Sequence, residues 1–345
     1  MRILIDALGA PPSSGGMRMY TDELLRAWIE TYPDDELHVV GYDYLAPLAD
    51  RATVHLRPEG TRSRILGQWW DAGRLARRHR VDALISLSSV VSPLMPRDRR
   101  VCTVHDWRHR RRPEEYSRAV LAYRRSWEWS VAHSGAVAVI SEKTDAETRR
   151  FVPGARTALV PNGRDAARHW GTPAPAEIAR PYVLTFGHFV NKRPGLVIDA
   201  LAGAADLAGH DLVVLGARGE VADGLRESPG GRALGERLHL PGFVEDDRYR
   251  SLVAHAACVV MASTDEGFGL PVAEANFFGI PCVVTDDGGL VEIHGDRVIG
   301  VEPTPTDLAA GIGRALAADL ARLTPGPDET WAATARRMRE LCRPR

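Results

Sequence analysis

Short, nearly unbroken apolar runs alternate along this chain with longer stretches of helical periodicity. In the first half the runs fall at 2–6, 38–42, 53–57, 82–86, 101–105, 136–140 and 157–161. Helical repeats at 16–31, 62–79, 114–133 and 141–151 separate several of them. A strand covered by helices on both faces is buried on both sides, so it reads as a continuous apolar run. Strand and helix in repeated alternation predict an open, doubly wound α/β sheet. The rhythm breaks at 164–181, where Gly171, Pro173, Pro175 and Pro181 interrupt any periodicity. It restarts with runs at 182–187, 211–216, 238–243, 258–263, 281–286 and 298–301. Helices are expected at 194–208, 221–236, 246–256, 270–278 and 306–321. The reading is therefore a first domain over 1–165, a linker over 166–180 and a second, similar domain over 181–325. A last helix, within 326–345, is expected to return to the first domain.

Composition narrows the class. A length of 345 residues suits about two domains, and 44% hydrophobic with 26% charged residues is ordinary for a globular protein. The formal net charge is -1, which removes the electrostatic case for a nucleic-acid binder. Of the 44 cationic residues, all but Lys143 and Lys192 are arginine, a bias typical of a GC-rich genome. Any single arginine cluster is correspondingly less informative. No apolar run approaches the ~20 residues of a membrane span, and the N-terminus turns polar too early for a signal peptide. Cys102, Cys258, Cys282 and Cys342 are scattered and suit neither a zinc site nor a disulfide framework, so a cytoplasmic location is expected. Peripheral membrane contact stays open, because it needs no spanning segment. Homo-oligomerisation is not readable.

Ligands of open α/β sheets bind beyond the carboxyl ends of the strands, and the unusual residues of this chain fall there. The most informative stretch runs from Ser263 to Ala275, with Glu266, Gly267, Phe268, Gly269, Leu270 and Glu274. Its glycines admit a close backbone approach, and Pro271 opens a helix whose free N–H groups favour an anion. Both glutamates can equally be plain helix N-terminal residues. A second stretch follows the first strand of the second domain, with Gly187, then Lys192 and Arg193, then Pro194 opening a helix. It suits a diphosphate, or it is a turn with two exposed cations. Gly15 and Gly16 stand between the first strand and its helix, where they either offer N–H groups to a phosphate or sugar or, as is commoner for such a pair in isolation, form an ordinary glycine-rich loop. His105 and Trp107 end a central strand, placed to meet a substrate hydroxyl and a sugar face, although a lone strand-end histidine is more often structural than catalytic. The basic run from Arg108 to Arg112 suits a phosphorylated acceptor, an anionic lipid or simply solvent. HExxH, GxSxG, Asp-x-Asp and histidine–cysteine spacings for a metal are all absent, so no metal is expected.

Taken in order and at these spacings, the constellations resemble the retaining, GT-B-fold glycosyltransferases of family 4, also known as group 1. The resemblance covers nearly the whole chain. Its most specific part is Glu266 and Glu274 separated by seven residues, supported by Val139-Ile140-Ser141-Glu142, Val160-Pro161-Asn162-Gly163, Leu240-Pro241-Gly242-Phe243-Val244 and Asp287-Gly288-Gly289-Leu290-Val291-Glu292. It implies two Rossmann-like doubly wound domains facing across a cleft, the first holding the acceptor and the second a nucleotide-diphosphate sugar. On that analogy Glu274 binds the ribose, Glu266 contacts the donor sugar, and Lys192 and Arg193 neutralise the diphosphate with help from Gly15 and Gly16. Gly187 lies in the same cation-bearing turn. Gly267, Phe268, Gly269 and Leu270 offer further contacts to sugar and phosphates, His105 lies beside the donor sugar, and Val244 borders the nucleobase. The chain departs from the family where Arg-Lys-Asn is replaced by Lys192-Arg193-Pro194, which keeps the charge and changes its geometry.

The resemblance further implies a metal-independent hexosyl transfer with no permanently bound cofactor. The acceptor hydroxyl would attack from the front face, with the departing phosphate as base and no covalent nucleophile. Fixed positive charge at the leaving diphosphate is what such a transition state demands. The expected acceptor is a small natural product or an envelope glycoconjugate precursor, a phosphorylated one included. A sugar-nucleotide epimerase on the same fold and a catalytically degenerate nucleotide-binding subunit remain as alternatives.

Overall fold

The computed structural model describes residues 1–318 and 324–343. The chain forms two compact units, Met1–Gly163 with Gly326–Arg345 as unit 1, and Arg164–Pro325 as unit 2. Each is built on one wholly parallel sheet, and every apolar run expected as a strand holds one.

In unit 1 the strands are β1 (Arg2–Asp6), β2 (Glu36–Gly41), β3 (Thr53–Leu56), β4 (Ala83–Ser86), β5 (Arg100–Val104), β6 (Ala136–Val139) and β7 (Thr157–Leu159). They lie in the order β3-β2-β1-β4-β5-β6-β7. Ile3, Leu4 and Ile5 of the central β1 are wholly buried, as a strand covered on both faces requires. The helix Gly15–Thr31 turns Tyr20, Leu24, Leu25 and Trp28 inward. The C-terminal helix Trp331–Glu340 packs in this unit, with the Trp331 ring 5.5 Å from that of Tyr20. A side chain at Gly163 would meet Trp331 at 2.3 Å, so only glycine fits beneath that indole. Arg339 closes the helix onto Asp35 with two hydrogen bonds of 2.7 and 2.8 Å.

Unit 2 repeats the plan with β8 (Tyr182–Phe186), β9 (Asp211–Leu215), β10 (Leu238–Gly242), β11 (Cys258–Met261), β12 (Cys282–Thr285) and β13 (Ile299–Val301), ordered β10-β9-β8-β11-β12-β13. One face packs on Val197, Ile198, Leu201, Leu308 and Ile312, the other on Leu252, Val253, Val272 and Leu290. The stretch expected as a linker, 166–180, packs within this unit. Trp170 lies against Tyr249 and Phe278, and Ser251 Oγ donates to the Ala174 carbonyl.

Helix ends depart from the periodicity for local reasons. The expected 62–79 helix is divided by a π-helical turn at Gly67–Asp71, where Ser92 Oγ donates to the Trp69 carbonyl at 2.6 Å and draws it out of the helical ladder. The 221–236 helix breaks at Ser228, which caps a new helix opened by Pro229. The 114–133 helix starts only after Ser117, its N-cap. The 306–321 helix spans Pro305–Leu316, and its expected end, 319–321, lies outside the described residues. No helix among the described residues is long and apolar enough to cross a membrane.

Candidate active site

In unit 2, three loops leave the carboxyl ends of β8, β11 and β12 and are tied to one another. The Asn191 carbonyl accepts from Thr264 N, and Asn191 Nδ2 donates to the Asp265 carbonyl at 3.1 Å. Glu266 N donates to the Gly288 carbonyl at 3.0 Å. A side chain at Gly288 would strike the Ser263 carbonyl at 2.2 Å, so glycine is what lets these loops touch. Within this frame Lys192 Nζ lies against Glu266 Oε1, both side chains largely buried. Three buried oxygens nearby, Asn191 Oδ1, Ser263 Oγ and Thr264 Oγ1, have no hydrogen-bond partner. Buried polar atoms are costly to leave unpaired, and these three are closed off from the surface.

Arg193 is placed differently from Lys192. It sits in the left-handed region (φ 45) at the start of the helix Pro194–Gly203. Its Nε donates to the Ala262 carbonyl at 2.6 Å, Nη1 and Nη2 grip both Asp287 oxygens at 2.9 and 2.6 Å, and Nη2 also reaches Thr285 Oγ1. Every nitrogen of this guanidinium already has a protein acceptor, so Arg193 pins the loops while Lys192 supplies the adjacent ammonium. Gly187 is a close-approach position, where a side chain would meet Val214 at 2.9 Å and Ala217 at 3.0 Å.

Phe268 is buried between Gly267 and Gly269, and its loop is latched from below. His294 Nε2 donates to the Phe268 carbonyl at 2.6 Å, while its Nδ1 accepts from Arg164. Burial, then the Arg164 charge, pushes the His294 pKa down to about 3, which keeps the imidazole neutral as this pairing requires. Gly269 has φ +77 and abuts Leu290, so it is restricted to glycine twice over. Leu270 begins the helix Leu270–Phe277, one turn into which lies Glu274. Glu274 is buried and accepts from the Tyr249 hydroxyl. Burial raises its pKa to about 7, with the Tyr249 hydrogen bond opposing. Val244 is half-buried against the unit 2 core. Its neighbour Phe243 is the exposed one, at 61%, with the Arg218 guanidinium 5.1 Å from its ring centre.

In unit 1, Gly15 and Gly16 open the helix Gly15–Thr31, which has no side-chain cap and no acidic residue in its first turn. Both glycines are exposed, and nothing lies within 4 Å of a side chain built at Gly15. The first-turn N–H groups are therefore available to an anion. His105 Nε2 donates to the Leu87 carbonyl at 2.9 Å, and its ring meets Tyr20 edge-on at 4.7 Å. Burial lowers its pKa, so the neutral ring presents Nδ1 as an acceptor.

One sequence expectation in unit 1 is corrected. Trp107 does not offer a sugar face: it is 1% exposed, lies in the core and donates Nε1–H to Thr148 Oγ1 at 2.8 Å. The basic run is largely neutralised in place. Arg108 pairs with Glu115, Arg110 with Glu128, Arg111 with Glu147 and Arg112 with Glu114.

The family described as Glycosyltransferase Family 4 matches residues 14–168, and that described as Glycosyl transferases group 1 matches residues 175–329. The chain belongs to the group 1 glycosyltransferases. It is 32% identical over 203 residues to D-inositol 3-phosphate glycosyltransferase of Nocardiopsis dassonvillei, covering 54% of this chain and 43% of that one. In two further curated relatives the aligned segment spans 27% and 17% of their length, so the chain matches less than half of each of the three. Among solved structures it resembles sucrose-phosphate synthase from Thermosynechococcus elongatus, with TM-score 0.68, 18% identity and coverage of 99% and 94%. It also resembles HepE from Anabaena in complex with UDP-glucose, with TM-score 0.65, 19% identity and coverage of 99% and 94%. What is shared with these two is the fold, a pair of Rossmann-like units of the GT-B kind.

Sequence reading of this group 1 glycosyltransferase passed over three residues that the structure brings into the unit 2 site. Asn191 and Tyr249 touch the loops and Glu274 directly. His188 lies beside Lys192 and Glu266, and burial with the Lys192 charge drops its pKa to about 4. Each stands just after a strand or on a facing helix, a signal of position alone.

Proposed function

We propose that this protein transfers a sugar from a nucleoside-diphosphate sugar to an acceptor hydroxyl with retention at the anomeric carbon. The observation that carries the reading is the Lys192–Glu266 pair at the carboxyl ends of β8 and β11, with Glu274 one turn into the helix that follows. An ammonium beside a helix N-terminus provides fixed positive potential where a leaving diphosphate gains charge. Lys192 and the Leu270 N–H at the start of the helix Leu270–Phe277 take that role, and Arg193 holds the loops that carry them. This arrangement supports a metal-independent donor site. Glu274 is assigned to the ribose, Glu266 and the Gly267–Gly269 backbone to the donor sugar, and the exposed Phe243 beside Val244 to the nucleobase. In unit 1 we assign His105 and the Gly15–Gly16 N–H groups to the substrates.

For the acceptor we favour a small polar alcohol, a phosphorylated one included. The Nocardiopsis dassonvillei relative, a D-inositol 3-phosphate glycosyltransferase, supports that class. The neutralised Arg108–Arg112 run weakens the case for it as a phosphate or lipid contact. The deciding experiment compares UDP, GDP and dTDP in thermal shift, then analyses the product formed with the matching donor. A retained anomer in the proton coupling constants is expected. An inverted anomer would overturn the mechanism, and conversion of the donor sugar without any acceptor would replace transferase by epimerase.

A further inference from the structure

Three histidines from three elements of unit 1 converge away from Gly15, Gly16 and His105. His38 lies on β2, His55 on β3, and His79 directly follows the helix Ala72–Arg78. His55 is paired in register with Val40, and residues 38 and 40 face the same side of β2, so His38 and His55 are diagonal neighbours on one face. One ring nitrogen from each histidine falls within 4.8 Å of the others. His38 Nδ1 and His55 Nε2 stand 3.5 Å apart.

We propose that His38, His55 and His79 form a site for one divalent transition-metal ion, Zn2+ or a cation of similar preference. Nitrogens at about 2.0–2.1 Å from a tetrahedral zinc lie roughly 3.3 Å from one another. The His38–His55 separation already matches that spacing, and the half-exposed His79 needs only a small turn inward. Three imidazoles without thiolates suit Zn2+, Co2+, Ni2+ or Cu2+ over Mg2+ or Ca2+.

The surroundings supply what a histidine ligand set requires. Glu36 Oε1 accepts from His38 Nε2 at 3.1 Å, which fixes the tautomer and turns the Nδ1 lone pair toward the cluster. Arg2 holds the other Glu36 oxygen at 2.7 Å and donates to the His79 carbonyl at 3.0 Å, so one guanidinium spans the carboxylate and the third ligand's backbone. Burial and the neighbouring imidazoles lower the pKa values of His55 and His79, which favours the neutral ring that binds metal. The bound ion would clip β3, a four-residue edge strand with Leu56 exposed, to β2 and to the end of a helix. The role is structural, and its readouts do not depend on glycosyl transfer.

The test uses the full chain, stripped with a chelator and dialysed, then titrated with Zn2+ by calorimetry and with Co2+ by visible absorption. One ion per chain and the d–d bands of tetrahedral Co2+ are expected. His55→Ala and His79→Ala, both partly exposed, should each lose the bands and the heat, and Glu36→Gln should weaken binding about tenfold to hundredfold. Should a variant unfold, Zn2+ should still protect His55 and His79 of the unaltered chain from diethyl pyrocarbonate. No saturable binding, or no protection, or undiminished binding in folded His55→Ala, overturns the site.

Discussion

Lys192 Nζ rests on Glu266 Oε1, joining the loop after β8 to the loop after β11 through an ion pair. A hydrogen bond to a charged partner is worth about 1.5–3 kcal/mol. Lys192→Gln should therefore weaken nucleoside-diphosphate binding by about tenfold to hundredfold. Calorimetry on Lys192→Gln, Glu266→Gln and the double variant should return a non-additive cycle.

Arg193 should behave otherwise. Its bonds to Asp287, Thr285 and Ala262 make Arg193→Ala a lesion of loop packing, costing unit 2 about 1–3 kcal/mol. Arg193→Lys should fail to restore stability, because an ammonium cannot grip both Asp287 oxygens. Denaturant titration followed by a unit 2 probe checks this. A melting profile equal to the parent's, with nucleotide affinity lost, would return Arg193 to the diphosphate.

Glu274 predicts a pH dependence. Its carboxyl stays protonated in the folded unit up to about 7, against an ordinary value of 4.5. The folded state thus holds a proton that the unfolded chain has released, so this contribution is full below about pH 4.5 and is lost as the pH rises through about 7. The stability difference between the parent and Glu274→Gln, from melts at stepped pH, should shift against the parent across that window.

His294 predicts the opposite slope. Its folded pKa of about 3 lies below the ordinary 6.5, so its contribution is full above about pH 6.5 and is lost as the pH falls toward 3. His294→Gln should lack that acid-side decline, measured as the same kind of difference.

Trp107 and Phe243 separate core from contact surface. Trp107→Ala, which empties a buried site in unit 1, should cost about 3–5 kcal/mol. Phe243→Ala should leave the melting profile almost unchanged while raising the nucleotide Kd about tenfold, the scale of one lost base–aromatic stack.

The strands were legible because burial on both faces leaves an uninterrupted apolar signature, as at Ile3–Ile5 or Val259–Val260. The glutamate pair and the glycines were legible because their spacing is local. Contacts between distant segments were not. Nothing near Arg193 announces Asp287, 94 residues on, and nothing near Trp107 announces Thr148. The three histidines escaped for the same reason, since parallel pairing of β2 with β3 and the return of a helix gather residues that are 17 and 24 positions apart. Pro229 and Ser228 did carry the break in the 221–236 helix, but periodicity alone bridges it.

Asp35 receives Arg339 across 304 positions, and between them the chain completes all of unit 2. A ribosome therefore delivers the central unit entire before it delivers the helix that seals Tyr20 and Gly163. Through much of translation the first unit must persist with an open apolar seam at Tyr20, a window in which a chaperone or a second nascent chain can compete for it.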